Sequence, residues 1–298
     1  MTRYKKEEIE RFLHKKYKKI IKLEPVAVGM LSQVYAYEFQ KQKYIIRINE
    51  KLEGFKKDEY AYNKFRSDII KIPRIIEYGN FNNDYYCISE RINGITFQDA
   101  SSSLINNLLA KVVNVLNSIN SVDISKTTGY GVFDSTTGNA NYNTWKEFLL
   151  DIFSSNYNFD LVKEKKYVDN DLLEKLFKKY KDLIKYTNET RKLYHGDFGS
   201  NNLLVEADNI LGVIDWDMAS YGDPLYEIAN TYFWSTWLLC MKRSYAYFEK
   251  KYGNIKNYQE LIKCYCIRIA LIEIYENALI GNEEMTIWLQ DRISKICL

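Results

Sequence analysis

Between Leu193 and Asp217 the chain reads LYHGDFGSNNLLVEADNILGVIDWD, and this stretch limits what the rest can be. Two short apolar segments, Leu203 to Val205 and Leu211 to Ile214, flank the polar run Glu206-Ala207-Asp208-Asn209, the pattern of two brief strands joined by a hairpin turn. Asp197 and Asn202 precede the first strand, and Asp215 and Asp217 follow the second. A hairpin with acids and an amide at both outer ends gathers hard oxygen donors at one end of the element. That donor set suits Mg²⁺ held by one or two carboxylates together with substrate phosphates. The expectation is phosphate chemistry.

His195-Gly196-Asp197-Phe198-Gly199-Ser200-Asn201-Asn202, followed by Ile214-Asp215-Trp216, resembles the HxDxxxxN and I-D-W pair of the aminoglycoside phosphotransferase family. The same roles fall in protein kinases to the H-R-D-x-x-x-x-N loop and D-F-G. The specificity lies in the pairing, since an isolated HxD occurs widely whereas two motifs in this order joined by a hairpin pattern do not. The resemblance implies Asp197 as catalytic base, with Asn202 and Asp215 as metal ligands. It also implies an α+β, bilobal protein-kinase-like fold, with an antiparallel sheet and a helix in residues 1–93 and a mainly helical second lobe in residues 94–298.

Composition agrees with a chain of this kind and excludes others. At 298 residues, 46% hydrophobic and 27% charged, there is length for a core in each of two lobes. The net charge of +3 comes from interleaved Lys and Glu, so no basic block marks a nucleic-acid partner. No apolar run reaches membrane-spanning length and the N-terminus lacks a signal-peptide core, which leads to the expectation of a cytoplasmic monomer without membrane contact. Five cysteines without paired spacing read as reduced, mostly buried thiols. A hydrolase triad would need His14 or His195, the only two histidines, and neither accompanies a G-x-S-x-G elbow or a metal motif.

In chain order, helical spacing at Ile9, Phe12, Leu13, Tyr17 and Ile20 predicts a leading helix over 7–21. Extended segments around Gly29 and Ser32 resemble the family's nucleotide-covering hairpin, which implies that Ser32 and nearby N–H groups meet ATP phosphates. Arg47 stands in the apolar strand Tyr44 to Ile48, where the family usually has Lys contacting the α/β-phosphates. A charge in such a strand needs a partner. The following helix, about 57–66, offers Asp58 and Glu59; Asp58 shares a face with Tyr62 and Phe65 and is the preferred partner. After strands at 75–78 and 85–90, Ser89 to Gly94 reads as the hinge between lobes, with Glu90 and Ile92 placing backbone groups for adenine.

From Ser101 on, helical patterns dominate. Leu104, Leu108, Val112, Val115 and Ile119 form one amphipathic face, and Thr144-Trp145-Lys146-Glu147 is a capping box. The polar segment 121–143 reads as a long loop on the substrate rim. Gly222-Asp223-Pro224, like the G-D-P that follows I-D-W in the family, starts another helix. Asn201, Asp223, Glu227, Trp234, Trp237 and Glu276 supply the acids and aromatics that a polycationic, hydroxyl-rich ligand requires. The resemblance thus implies an ATP-dependent O-phosphotransferase, with GTP as the other possible donor and Mg²⁺ as cofactor. Its substrate would be an aminoglycoside or aminocyclitol antibiotic, with a small metabolite such as a sugar or amino alcohol, or nucleotide binding without catalysis, as the alternatives.

Overall fold

The computed structural model describes residues 4–18, 20–28 and 32–297. In chain order the principal elements are α1 (Lys6–Tyr17), β1 (Ile21–Val28), β2 (Gln33–Phe39), β3 (Gln42–Asn49), α2 (Glu53–Phe65), β4 (Ile75–Phe81), β5 (Asp84–Glu90) and the short β6 (Ile95–Thr96). There follow α3 (Ser102–Asn120), β7 (Tyr130–Phe133), β8 (Ala140–Tyr142), α4 (Trp145–Leu150), α5 (Phe159–Lys163), α6 (Asn170–Leu183) and β9 (Lys192–Tyr194). The chain ends with β10 (Leu203–Glu206), β11 (Asn209–Val213), β12 (Ser220–Gly222), α7 (Leu225–Phe233), α8 (Leu239–Tyr252), α9 (Tyr258–Leu279) and α10 (Glu283–Cys297). They fall into two compact units, Met1–Ile95 with Leu203–Asp217, and Thr96–Asn202 with Met218–Leu298.

The first unit is a five-stranded antiparallel sheet in the order β1-β2-β3-β5-β4. Tyr35, Tyr37, Ile46, Ile48, Tyr86 and Ile88 alternate toward one face and bury against Ile9 and Leu13 of α1. Phe12 meets Phe81 and Tyr86 edge-on, with centroids 5.0 and 4.8 Å apart. The leading helix ends at Tyr17, because Ile20 and the residues after it join the sheet side of the core instead. The turn expected around Gly29 lies outside the described residues.

The segment Leu203–Asp217 belongs to this first unit and not to the second lobe assigned from sequence. Backbone pairing explains it. β10 and β11 form the expected hairpin, its two-residue turn placing Ala207 at a φ of +48°, and the Val213 N–H reaches the carbonyl of Lys71 at 2.8 Å. Such bonds between segments far apart in sequence leave no trace in local composition.

In the second unit α9 is buried nearly all round, from Leu261 to Ile274, and α6, α7 and α10 pack on it. α3 begins with the Ser101 hydroxyl accepting the Leu104 N–H, and α4 with the reciprocal bonds of Thr144 and Glu147. The segment 121–143 is not one continuous loop. Parts of it form β7 and β8, two strands of a sheet in the order β8-β7-β12-β9, and Arg191 fixes the approach to β7 through the carbonyls of Gly129 and Ile124. All five cysteines are free and buried, and no helix among the described residues is long and apolar enough to cross a membrane.

Candidate active site

In the first unit the chemistry gathers between β3, α2 and the turn after β11. Arg47 projects from β3 and its Nη2 lies 2.5 Å from Asp58 Oδ2, with its guanidinium 5.1 Å from the Phe55 ring centroid. Glu59, the other candidate, instead accepts the Tyr78 hydroxyl at 3.1 Å. Asp58 makes a second bond with its other oxygen, accepting the Trp216 N–H at 2.9 Å. One carboxylate on α2 therefore fixes both the cation of β3 and the backbone beside Asp215. Trp216 itself is wholly buried, its indole N–H closing back on the carbonyl of Val213 at 3.2 Å.

Asp215 has a φ of +65°, a conformation that Asp tolerates better than most residues. It stays exposed to solvent. Crowding by neighbouring protein, followed by the Asp58 charge, nevertheless pushes its carboxyl up to about 6, with Arg47 pulling it back. Lys57, which the sequence reading passed over, is buried on the same helix and its Nζ donates to the carbonyl of Asp217. Burial lowers its ammonium to about 8 against the pull of Asp217, Glu53 and Asp58. Its only sequence signal was a lysine at the position before Asp58, which on an amphipathic helix reads as a solvated charge.

The remaining candidates of this unit have simpler surroundings. Ser32 accepts a bond from the Asn49 amide at 2.9 Å. Glu90 is exposed at the end of β5, and its N–H is taken up by the carbonyl of Arg74 at 2.9 Å. Ile92 lies over Gly212, where an added Cβ would stand 2.3 Å from Ile92 Cδ1.

In the second unit the loop from His195 to Asn202 is shaped by three constraints. Gly196 has a φ of +88°, and a Cβ there would stand 2.3 Å from the carbonyl oxygen of Met218. Glu227 on α7, with no exposed surface, accepts the N–H of Gly196 at 2.7 Å and that of Phe198 at 2.8 Å, one on each carboxylate oxygen. Asn202 is buried and its Nδ2 donates to both the carbonyl and the Oδ2 of Asp197, at 2.9 and 2.7 Å. Asp197 between them is exposed. The result is an accessible carboxylate on a rigid backbone, oriented by an amide. With the Nδ2 donors spent on Asp197, the Oδ1 of Asn202 is the atom that a metal would take.

Two candidate substrate contacts turn out to be internal. Glu227 is spent on the loop as described, so it holds Asp197 and does not meet a ligand. Asp223 is buried, accepts the Leu225 N–H at 3.0 Å and the Tyr265 hydroxyl at 2.8 Å, and thereby caps α7. Both lie where a helix starts beside the loop, and sequence alone does not separate a capping acid from a ligand-binding one. Asn201 and Glu276 are exposed, and Trp234 packs against Trp288 at 5.5 Å with Trp237 half-exposed beside them. Burial, followed by the charges of Glu276 and Asp197, raises the Glu273 carboxyl to about 7.

Burial also raises Glu227 to about 7, against the backbone N–H groups of Phe198, Gly196 and His195 that favour its charge. The unfolded carboxyl releases its proton near 4.5, so the folded state holds one more proton between these values. Stability from this group is full below about 4.5 and is lost as pH rises through 7. In Glu227→Gln, thermal unfolding followed from pH 5 to 8 should show a flatter decline than the parent, because the titrating group is gone. An unchanged slope would assign the decline to other carboxyls.

Comparison with known proteins fits this geometry. The sequence profile of the Phosphotransferase enzyme family matches residues 22–258. The chain belongs to that family. Over 293 residues, 97% of this phosphotransferase and 84% of the relative, it is 32% identical to hygromycin-B 4-O-kinase of Escherichia coli. A crystal structure of a thermostable mutant of aminoglycoside phosphotransferase APH(4)-Ia, in ternary complex with AMP-PNP and hygromycin B, superposes with a TM-score of 0.90 at 32% identity, covering 97% of both chains. A putative fructosamine-3-kinase of Haemophilus somnus, at 18% identity and a TM-score of 0.64 over 97% of both chains, shares the fold alone. The phosphotransferase is thus an α+β enzyme of the kinase-like type expected from its sequence.

Among the described residues no group of three His, Cys, Asp or Glu side chains would hold a metal unaided. The donors in question, the Asp215 carboxylate and the Asn202 amide oxygen, are hard oxygens, and negative charge already crowds Asp215. Each by itself is a donor of the kind that Mg²⁺ takes beside water and nucleotide phosphates.

Proposed function

We propose that this phosphotransferase moves the γ-phosphoryl group of ATP to a hydroxyl of hygromycin B, and so confers resistance to it as a cytoplasmic monomer. The observation that carries the reading is likeness to a hygromycin-B 4-O-kinase along nearly the whole chain, and so in both units. Asp197 orients the substrate hydroxyl and receives its proton as the new P–O bond forms and the bond to ADP breaks in line. Arg47, held by Asp58, and Ser32 contact the nucleotide phosphates, and backbone groups near Glu90 and Ile92 hold the adenine. Asn202 and Asp215 would hold Mg²⁺, which would neutralise charge developing on the phosphates. Asn201, Trp234, Trp237 and Glu276 line the antibiotic's site, with one acid for its amines, an amide for its hydroxyls and indole faces for its rings.

Purified protein with Mg·ATP should release ADP in the presence of hygromycin B, and far more slowly with other aminoglycosides or with small sugars and amino alcohols. Replacing ATP by GTP in the same assay fixes the donor. Silence with hygromycin B alongside turnover of another panel member would overturn the substrate assignment and leave the phosphotransferase chemistry standing.

A further inference from the structure

α2 presents three consecutive contacts to the turn Asp215-Trp216-Asp217. Asp58 takes the Trp216 N–H, Lys57 Nζ donates to the Asp217 carbonyl, and Gly54, one turn earlier, leaves space for the Asp217 side chain. A Cβ on Gly54 would stand 3.1 Å from Asp217 Cγ, closer than ordinary packing, so the helix already touches that residue. Lys57 has almost no exposed surface, although lysine is among the residues least often buried. A buried ammonium is costly to keep unless its geometry is used. Here that geometry grips the backbone two residues beyond Asp215, whose φ of +65° is one that surrounding contacts must hold.

We infer that Lys57 is a positioning residue for the metal-binding carboxylate. By holding the Asp217 carbonyl it keeps the turn in the conformation that presents Asp215, so that Mg²⁺ binding by this enzyme depends on a lysine that meets neither metal nor nucleotide. The inference rests on the proposed role of Asp215 and adds to it. Asp58 restrains the turn from one side of Trp216 and Lys57 from the other. Removing the lysine therefore frees the turn's far end while leaving the Arg47–Asp58 pair in place.

The experiment measures binding of AMP-PNP to the full chain as Mg²⁺ is titrated, with metal-free AMP-PNP as reference. Lys57→Met keeps the apolar stem and removes the donor. It should raise the Mg²⁺ concentration for half-maximal binding by roughly tenfold, the scale of one charge-assisted hydrogen bond, while metal-free binding stays as in the parent. Lys57→Gln, which retains an N–H donor on a shorter stem, should fall between them. A structural role alone would lower the melting temperature without moving the Mg²⁺ requirement, and a folded Lys57→Met with an unchanged requirement overturns the inference. Should Lys57→Met fail to fold, Lys57→Gln decides, and an unchanged Mg²⁺ requirement in that folded variant overturns the inference too. Asp215→Ala separates the two layers. If it leaves Mg²⁺-dependent binding intact, the metal role of Asp215 falls, whereas loss in Asp215→Ala with no change in the Lys57 variants removes the positioning role alone.

Discussion

Asp197→Ala should lower the turnover of hygromycin B by roughly 10²- to 10⁴-fold, the usual contribution of a positioned general base, with little change in the affinity for Mg·ATP. The asymmetry follows from what the carboxylate touches. Asp197 is exposed and is held by the Asn202 amide and the rigid loop backbone, so its removal takes away the proton acceptor without releasing a buried charge. The loop keeps its shape because Glu227 holds the N–H groups on either side of residue 197, and because Asn202 keeps its bond to the residue 197 carbonyl. Rapid-quench measurement of ADP formation, with AMP-PNP binding in parallel, reads both quantities. Asp197→Asn should be nearly as slow, since it preserves size and hydrogen bonding but not basicity. Near-parental turnover in both variants would show that another group accepts the proton, and the Glu273 carboxyl, raised to about 7 beside Asp197, would be the next to replace.

The hairpin and the loop before it were legible because each rule involved is local. Alternating apolar residues give β10 and β11, Gly196 and Gly199 supply positive φ, and the spacing from Asp197 to Asn202 matches one tight loop. The Arg47–Asp58 pair was legible for a related reason, since a cation in an apolar strand demands a partner and a helix face supplies it. What stayed hidden depended on contacts between distant segments. Glu227 and Asp223 were acids at the start of a helix near a catalytic motif, and only the structure shows that their oxygens are consumed by backbone and tyrosine donors. Lys57 was hidden more completely, since nothing in one helix reveals that a turn 160 residues on will close over its ammonium group. The strands β7 and β8 were missed because their runs are short and β7, with β8 beside it, is completed by pairing with β12 far along the chain.

Replacing Asp58 should be the most damaging single change to the fold of the first unit. In Asp58→Ala the Arg47 guanidinium loses its counter-ion with little access to water, and the N–H of buried Trp216 loses its acceptor. Breaking a buried pair from one side costs about 3–5 kcal/mol, chiefly because the surviving charge is left uncompensated, and the orphaned N–H adds about 1–3 kcal/mol. These terms overlap, so a loss of about 4 kcal/mol in chemical denaturation is the expected result. Asp58→Asn should lose less, because its amide oxygen still accepts from Trp216. Replacing both partners, Arg47→Met with Asp58→Leu, removes the stranded charge and should recover a large part of the stability, as apolar substitution of buried pairs often does. Binding of Mg·ATP should not recover with it, since the double variant has neither the cation proposed to meet the phosphates nor the carboxylate that holds the turn beside Asp215. Recovery of both together would mean that the pair serves the fold alone, and that the nucleotide phosphates are held by other groups.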